Sequence, residues 1–240
     1  MRIVAIIQAR MGSTRLPGKV LIELAGKTVL ARVIERVSRF KSIQLITVAT
    51  SINKENEAIA AECERLGISC FRGSENDVLD RYLQAARKHG ADAIVRITAD
   101  CPLIDPEVSD GVVKEFLQER ADYASNVFPR TYPRGLDTEV FTTRSLERAW
   151  KNATEDHQRE HVTPYLYEHP ETFRTVSARA DADYSLHRWT LDTQEDLELI
   201  RNIYERFAAR EHFSWREVLE VLDREPELVG INSRVAQQAV

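Results

Sequence analysis

From Arg2 to Ala9 the chain is apolar almost without a break (Ile3, Val4, Ala5, Ile6, Ile7), the pattern of a strand buried on both faces. Thr28–Phe40 then sets Val29, Leu30, Val33, Ile34 and Val37 at helical spacing behind a capping threonine. The alternation continues with a strand over Ile43–Ala49, a helix over Glu55–Leu66 stopped by Gly67, and a short strand over Ile68–Phe71. A helix over Val78–His89 stopped by Gly90, a strand over Ala93–Thr98 and a helix over Pro106–Gln118 follow. Strands and helices alternating at this rhythm predict right-handed crossovers into a mostly parallel sheet covered on both faces. The fold class is therefore α/β, a Rossmann-like three-layer sandwich.

The second half is less regular. Strands are expected at Tyr123–Val127, Thr138–Phe141, Thr175–Ala178 and Leu186–Thr190, some of them antiparallel. Helices are expected at Thr143–Asn152, Gln158–Tyr167, Gln194–Ala208 and Trp215–Asp223. No repeat, low-complexity tract or linker divides the chain, so residues 1–240 read as one domain.

Charge narrows the function classes. A formal net charge of -5 argues against nucleic-acid binding, which needs a broad basic surface. No apolar run approaches a membrane span, and Met1–Ile7 is too short for a signal peptide. Three cysteines, odd in number and without a CxxC pair, point to the cytoplasm. Against this acidic background, Arg2, Arg10, Arg15 and Lys19 crowd the first twenty positions with no acid among them.

Residues 10–19 follow the first strand, where open α/β sheets take their ligands. Gly12, Ser13 and Thr14 can present backbone N–H groups to an anion, and Arg10, Arg15 and Lys19 add positive charge. The alternative is a solvated, charged turn. Neither GxxxxGK[ST] nor GxGxxG is present, so a triphosphate site would be of another kind. With no nearby acid to order it, the ligand-free loop is expected to be mobile.

Asp100 ends a buried strand and is halted by Pro102, which aims it at the same crevice, while Asp105 is the better cap for the next helix. Asp192 also follows a strand, and is either a metal ligand or part of a capping box with Thr193, Glu195 and Asp196. Arg72, Gly73 and Ser74 form a turn able to read a base. Arg134, Gly135, Asp137 and Glu139, with Arg159 and His161, offer cations and acids suited to a sugar. The plainer alternatives are an Arg134–Asp137 surface ion pair and a helix-bound His161. Cys101 has no partnered base and is set aside as a nucleophile.

The stretch Gln8-Ala9-Arg10-Met11-Gly12-Ser13-Thr14-Arg15-Leu16-Pro17-Gly18-Lys19 resembles the signature loop of the sugar cytidylyltransferases, which include the 3-deoxy-manno-octulosonate and acylneuraminate enzymes. It is more similar still to the spore-coat polysaccharide biosynthesis protein F branch, over nearly the full chain up to the Glu225–Val240 tail. The resemblance implies that Gln8, Ala9, Arg10, Gly12, Ser13, Arg15 and Lys19 hold CTP. Arg72, Gly73, Ser74 and Thr98 would complete the nucleotide site. Arg10, Arg15, Lys19 and Asp100 would be catalytic, with Asp100 and Asp192 binding Mg²⁺ and Asp196 left as a helix-dipole residue. The base loop lacks both the Ser-Gly-Thr of the octulosonate enzymes and the proline of the acylneuraminate enzymes.

The implied reaction is Mg²⁺-dependent transfer of CMP from CTP to a sugar, acidic sugars included, with release of pyrophosphate. Residues 1–120 or so would bind nucleotide, and about 121–225 would bind sugar and form a homodimer around Thr138–Tyr167. Two other classes stay open. A glycosyltransferase would need a DxD motif, for which Asp181-Ala182-Asp183 is the close match, though no apolar strand directly precedes it. A catalytically silent nucleotide-sugar binding protein would share the fold.

Overall fold

The structure, a computed structural model, describes residues 1–210 and 212–236. Strand β1 (Ile3–Gln8) lies inside a seven-stranded sheet because it is apolar in both directions. Ile3, Ala5 and Ile7 enter one core, and Val4 and Ile6 enter the other. A short hairpin, β2 (Glu23–Leu24) and β3 (Lys27–Thr28), precedes α1 (Val29–Val37). Thr28 caps α1, its Oγ1 accepting the Ala31 N–H at 3.0 Å.

The chain continues through β4 (Leu45–Ser51), α2 (Glu57–Arg65), β5 (Ser69–Gly73), α3 (Val78–His89), β6 (Ala93–Thr98) and α4 (Pro106–Gln118). Strands β5, β4, β1 and β6 are parallel and adjacent in that order. The chain thus steps outward twice from β1 and then returns to its other side. This reversal leaves a crevice at the C-terminal ends of β1 and β6. Helices α1, α2 and α4 cover one face, and α3 the other.

The same sheet is extended by β7 (Tyr123–Ser125) and β8 (Glu139–Thr142), which α5 (Thr143–Asn152), α6 (Asp156–His161) and α7 (Pro164–Glu168) follow, and by β9 (Thr175–Ser177). Strand β8 is antiparallel to β6 and β7, and β9 is parallel to β7. Helices α8 (Gln194–Arg206), α9 (Trp215–Arg224) and α10 (Glu227–Ile231) build a third core around Trp189 and Leu191.

Two expectations are corrected. Gln158–Tyr167 is not one helix: the chain breaks at Val162, with φ 74°, and restarts at Pro164, which lacks the N–H needed to continue a helix. Leu186–Thr190 is not a strand either. It makes one bridge, between Arg134 and Arg188, because its neighbour is a loop that turns away at Gly135. No helix of the described residues is long and apolar enough to cross a membrane.

Candidate active site

The crevice beyond β1 and β6 encloses about 210 Å³ and is lined by Gln8, Arg10, Gly12, Ser13, Thr14, Arg15, Lys19, Thr98, Ala99, Asp100 and Asp192. The loop is gathered around Met11. Its N–H donates to Asn56 Oδ1 at 2.8 Å, and its carbonyl accepts from Ser13 and Gly18 at 2.9 and 3.1 Å. Gly18, with φ 68°, makes that return. The backbone N–H groups of Gly12, Thr14 and Arg15 find no acceptor among the described residues, which leaves them available to an anion.

The loop's cations are paired, contrary to the sequence expectation. Lys19 Nζ donates to Asp100 Oδ2 and Asp192 Oδ1, each at 2.7 Å. Arg15 lies 3.2 Å from Asp192 Oδ2 and Arg10 3.9 Å from Glu160. The acids come from distant parts of the chain, which a local reading does not see. Burial alone would lower the pKa of Lys19, but attraction to Asp100 and Asp192 outweighs it and raises the value. Burial likewise pushes Asp100 up, and Lys19 brings it below the usual carboxylate value. The Cys101 thiol is driven well up by burial and by Asp100, so it stays protonated and a poor nucleophile.

The candidate base loop is placed differently. Arg72 donates to the carbonyls of Ser51, Ile52 and Asn53 at 3.2, 3.0 and 3.2 Å, tying down the end of β4. Gly73 is in β5, where a Cβ would meet Arg81 Cγ and Phe71 Cε1 at 3.0 Å. Ser74 Oγ accepts the Asp77 N–H at 3.0 Å. None of the three lines the crevice. The residues just after them do line a second cavity of about 400 Å³, formed by Arg10, Glu75, Asn76, Val78, Asp156, Arg159 and Glu160. Arg10 is common to both. Glu160 stands in the sequence between the candidate sugar residues Arg159 and His161, whereas Glu75, Asn76 and Asp156 carry no signal beyond being polar loop and helix residues.

The candidate sugar residues divide. Asp137 takes a two-pronged hydrogen bond from Arg130, at 2.5 and 2.8 Å, and not from Arg134. The half-buried Arg134 side chain has no hydrogen bond or ion pair among the described residues, and burial, then Arg130, lower its pKa. Gly135, at φ 106°, lets this loop touch the chain before Asp192: a Cβ there would lie 2.6 Å from the Trp189 carbonyl carbon. Glu139 is a correction. It is 6% exposed and accepts from Arg96, Tyr123 and Thr163, so its carboxylate is already engaged inside the protein. Arg159 pairs with Asp77 at 3.4 Å on the second cavity, and burial lowers the half-buried His161. In the Asp181-Ala182-Asp183 segment, Asp181 pairs with Arg216 at 3.2 Å and Asp183 accepts the Ser185 N–H, outside the crevice.

The sequence profile of the cytidylyltransferases matches residues 4–217. This chain belongs to the cytidylyltransferase family. It is a nucleotidyltransferase by that membership. It is 34% identical to the spore coat polysaccharide biosynthesis protein SpsF of Bacillus subtilis, over 94% of this chain and 95% of that protein. An uncharacterised protein of Methanocaldococcus jannaschii is 42% identical, over 100% and 98% of the two chains. The structure of a cytidylyltransferase from Leptospira borgpetersenii matches with a TM-score of 0.92 at 36% identity, covering 100% of both chains. These last two similarities include the C-terminal tail, which the sequence reading had left outside.

The residues of this cytidylyltransferase fit a hard cation. Asp100 and Asp192 converge on one point, now held by the Lys19 ammonium, and two carboxylates completed by substrate phosphates suit Mg²⁺. No cluster of three or more metal-ligating side chains occurs among the described residues, so the phosphates would be needed. Asp192 is not needed for the cap of α8, which Thr193 and Asp196 make.

Proposed function

We propose that this enzyme transfers CMP from CTP to a sugar hydroxyl and releases pyrophosphate, making an activated sugar for a surface or spore polysaccharide. The observation that carries this reading is the meeting, in one crevice, of free loop N–H groups, three loop cations and two carboxylates. The triphosphate lies along Gly12–Lys19, where Arg10, Arg15 and Lys19 stabilise the departing pyrophosphate. The base enters the second cavity, with Arg10 spanning base and phosphates. Asp100 and Asp192 would hold Mg²⁺ together with the substrate, and the ion would supply charge neutralisation at the reacting phosphate. Arg134 and Asp137, beside the Asp192 segment, orient the acceptor.

No protein nucleophile is required, which agrees with the protonated Cys101. The names of the similar proteins support cytidylyl transfer and a polysaccharide role. Three unbridged cysteines support a cytoplasmic setting. Pyrophosphate release, measured with each of the four nucleoside triphosphates against neutral and acidic sugars, tests the reading. Release with CTP and a sugar is expected. Release with another triphosphate alone, or binding without turnover of any pair, overturns it.

A further inference from the structure

We propose that Asn232 is a positioning residue for the cation site, acting through Asp196 and Arg188 to fix the carboxylate of Asp192. The proposal rests on the reading of Asp192 as a cation ligand. Asn232 lies beyond residues 4–217, the span matched by the family profile, and so gives the C-terminal segment a part in the site.

Asp196 is fully buried and takes five hydrogen bonds from the described residues. Its Oδ1 accepts from Arg188 Nε at 2.9 Å and Asn232 Nδ2 at 2.8 Å. Its Oδ2 accepts from Arg188 Nη2 at 3.0 Å and from the backbone N–H groups of Asp192 and Thr193 at 2.9 and 3.1 Å. Asp192 is therefore held from behind by its own N–H. Its carboxylate is held by Arg188, whose Nη2 reaches Oδ2 at 2.7 Å.

Asn232 secures both members of this clamp. The two hydrogens of its amide go to Asp196 Oδ1 and to the Arg188 carbonyl, the latter at 2.9 Å. Neither bond is one of the two that make the cap of α8, in which the Asp196 N–H donates to Thr193 Oγ1 at 3.3 Å and the Thr193 N–H to Asp196 Oδ2 at 3.1 Å. Without the amide, Asp196 Oδ1 keeps Arg188 alone among these donors, and the Arg188 backbone keeps its bridge to Arg134 but loses the bond at its own carbonyl. Mg²⁺ demands near-ideal ligand geometry, and residues orienting its ligands typically change metal affinity about 10–100-fold. Asn232 acts one contact further out, so about a three- to tenfold effect is expected.

The test is a titration of Mn²⁺ into the full chain, with free Mn²⁺ read by electron paramagnetic resonance. It is run in the Lys19→Met background, which removes the ammonium competing for the carboxylates. Asn232→Ala should weaken Mn²⁺ binding about three- to tenfold. Asn232→Asp should weaken it more, since a second carboxylate would face Asp196. Asn232→Ser, which keeps one donor, should fall between wild type and alanine, and it carries the test if the alanine chain does not fold. Thr193→Ala should lower the thermal midpoint and leave Mn²⁺ affinity unchanged. A lowered midpoint with unchanged Mn²⁺ affinity in the Asn232 variants would overturn the proposal and leave Asn232 a structural tie. Unchanged affinity in Asp192→Asn would instead overturn the ligand reading beneath it.

Discussion

Lys19 Nζ lies 2.7 Å from Asp192 Oδ1, across 173 residues of chain. The same ammonium is 2.7 Å from Asp100. Without ligand, the loop therefore neutralises the two carboxylates on which the proposed chemistry depends. On the proposed function, nucleotide and cation binding would amount to an exchange, in which phosphates compete for Lys19 and Asp100 and Asp192 become available to a divalent cation.

The exchange predicts how stability depends on pH. The pKa of Asp100 is lowered in the fold, so its contribution is present above the carboxylate's ordinary 3.8 and lost as pH falls through the folded value. Lys19 is raised, so its contribution is present below 10.5 and lost as pH rises through the folded value. Denaturant unfolding across pH should show wild type more stable than Lys19→Met in the neutral range. The difference should shrink below about pH 4 and above about pH 10.5. A difference that stays constant across this range would contradict the pairing.

Gly135 and Gly111 should respond oppositely to alanine. At Gly135 the added Cβ meets backbone at 2.6–2.8 Å and φ is 106°, so Gly135→Ala should destabilise by more than the roughly 1–3 kcal/mol of backbone strain alone. It should also impair turnover, because the backbone pressed upon leads to Asp192. At Gly111, within α4, nothing lies within 4 Å, and Gly111→Ala should stabilise by about 0.5–1 kcal/mol. Chemical denaturation of both variants checks the pair.

The carboxylates should separate in kinetics. Asp100→Asn should abolish turnover with the fold intact, since shape is kept and a cation-holding charge is lost. Asp192→Asn should raise the Mg²⁺ concentration needed for half-maximal pyrophosphate release. If Asp192→Asn only lowers the thermal midpoint, its role is structural.

Much of the fold was legible because its element ends are chemically marked. Helix α3 begins at the Asp77 cap and stops at Gly90 in the left-handed region, and α4 begins at the Asp105 cap with Pro106 behind it. Both keep their predicted bounds, as do β6 and α5. The opening loop was legible because twelve consecutive residues carry the family's pattern. What local patterns could not supply was partnership at a distance. Glu139 looked like a sugar ligand until Arg96, Tyr123 and Thr163 closed around it, and Asp137 found Arg130 in place of Arg134. Asp196 is the helix-dipole and capping acid its position suggests, but its complete burial was not legible, because Arg188 and Asn232 come to it from outside its helix.

Assembly gives a further prediction. The resemblance to homodimeric cytidylyltransferases leads us to propose a dimer built from elements around Thr138–Tyr167. Sedimentation should give about twice the 27.5 kDa chain mass. Sedimentation at the chain mass alone would contradict it.

The central claim is that the opening loop is a triphosphate site. Calorimetric titration of CTP and of CMP into wild type and Lys19→Ala tests it most directly. Lys19 contacts only the distal phosphates in this account, and a charge-assisted hydrogen bond is worth roughly 1.5–3 kcal/mol. Lys19→Ala should therefore weaken CTP about ten- to a hundredfold and leave CMP nearly unchanged. Equal weakening of both ligands, or of neither, would contradict the claim.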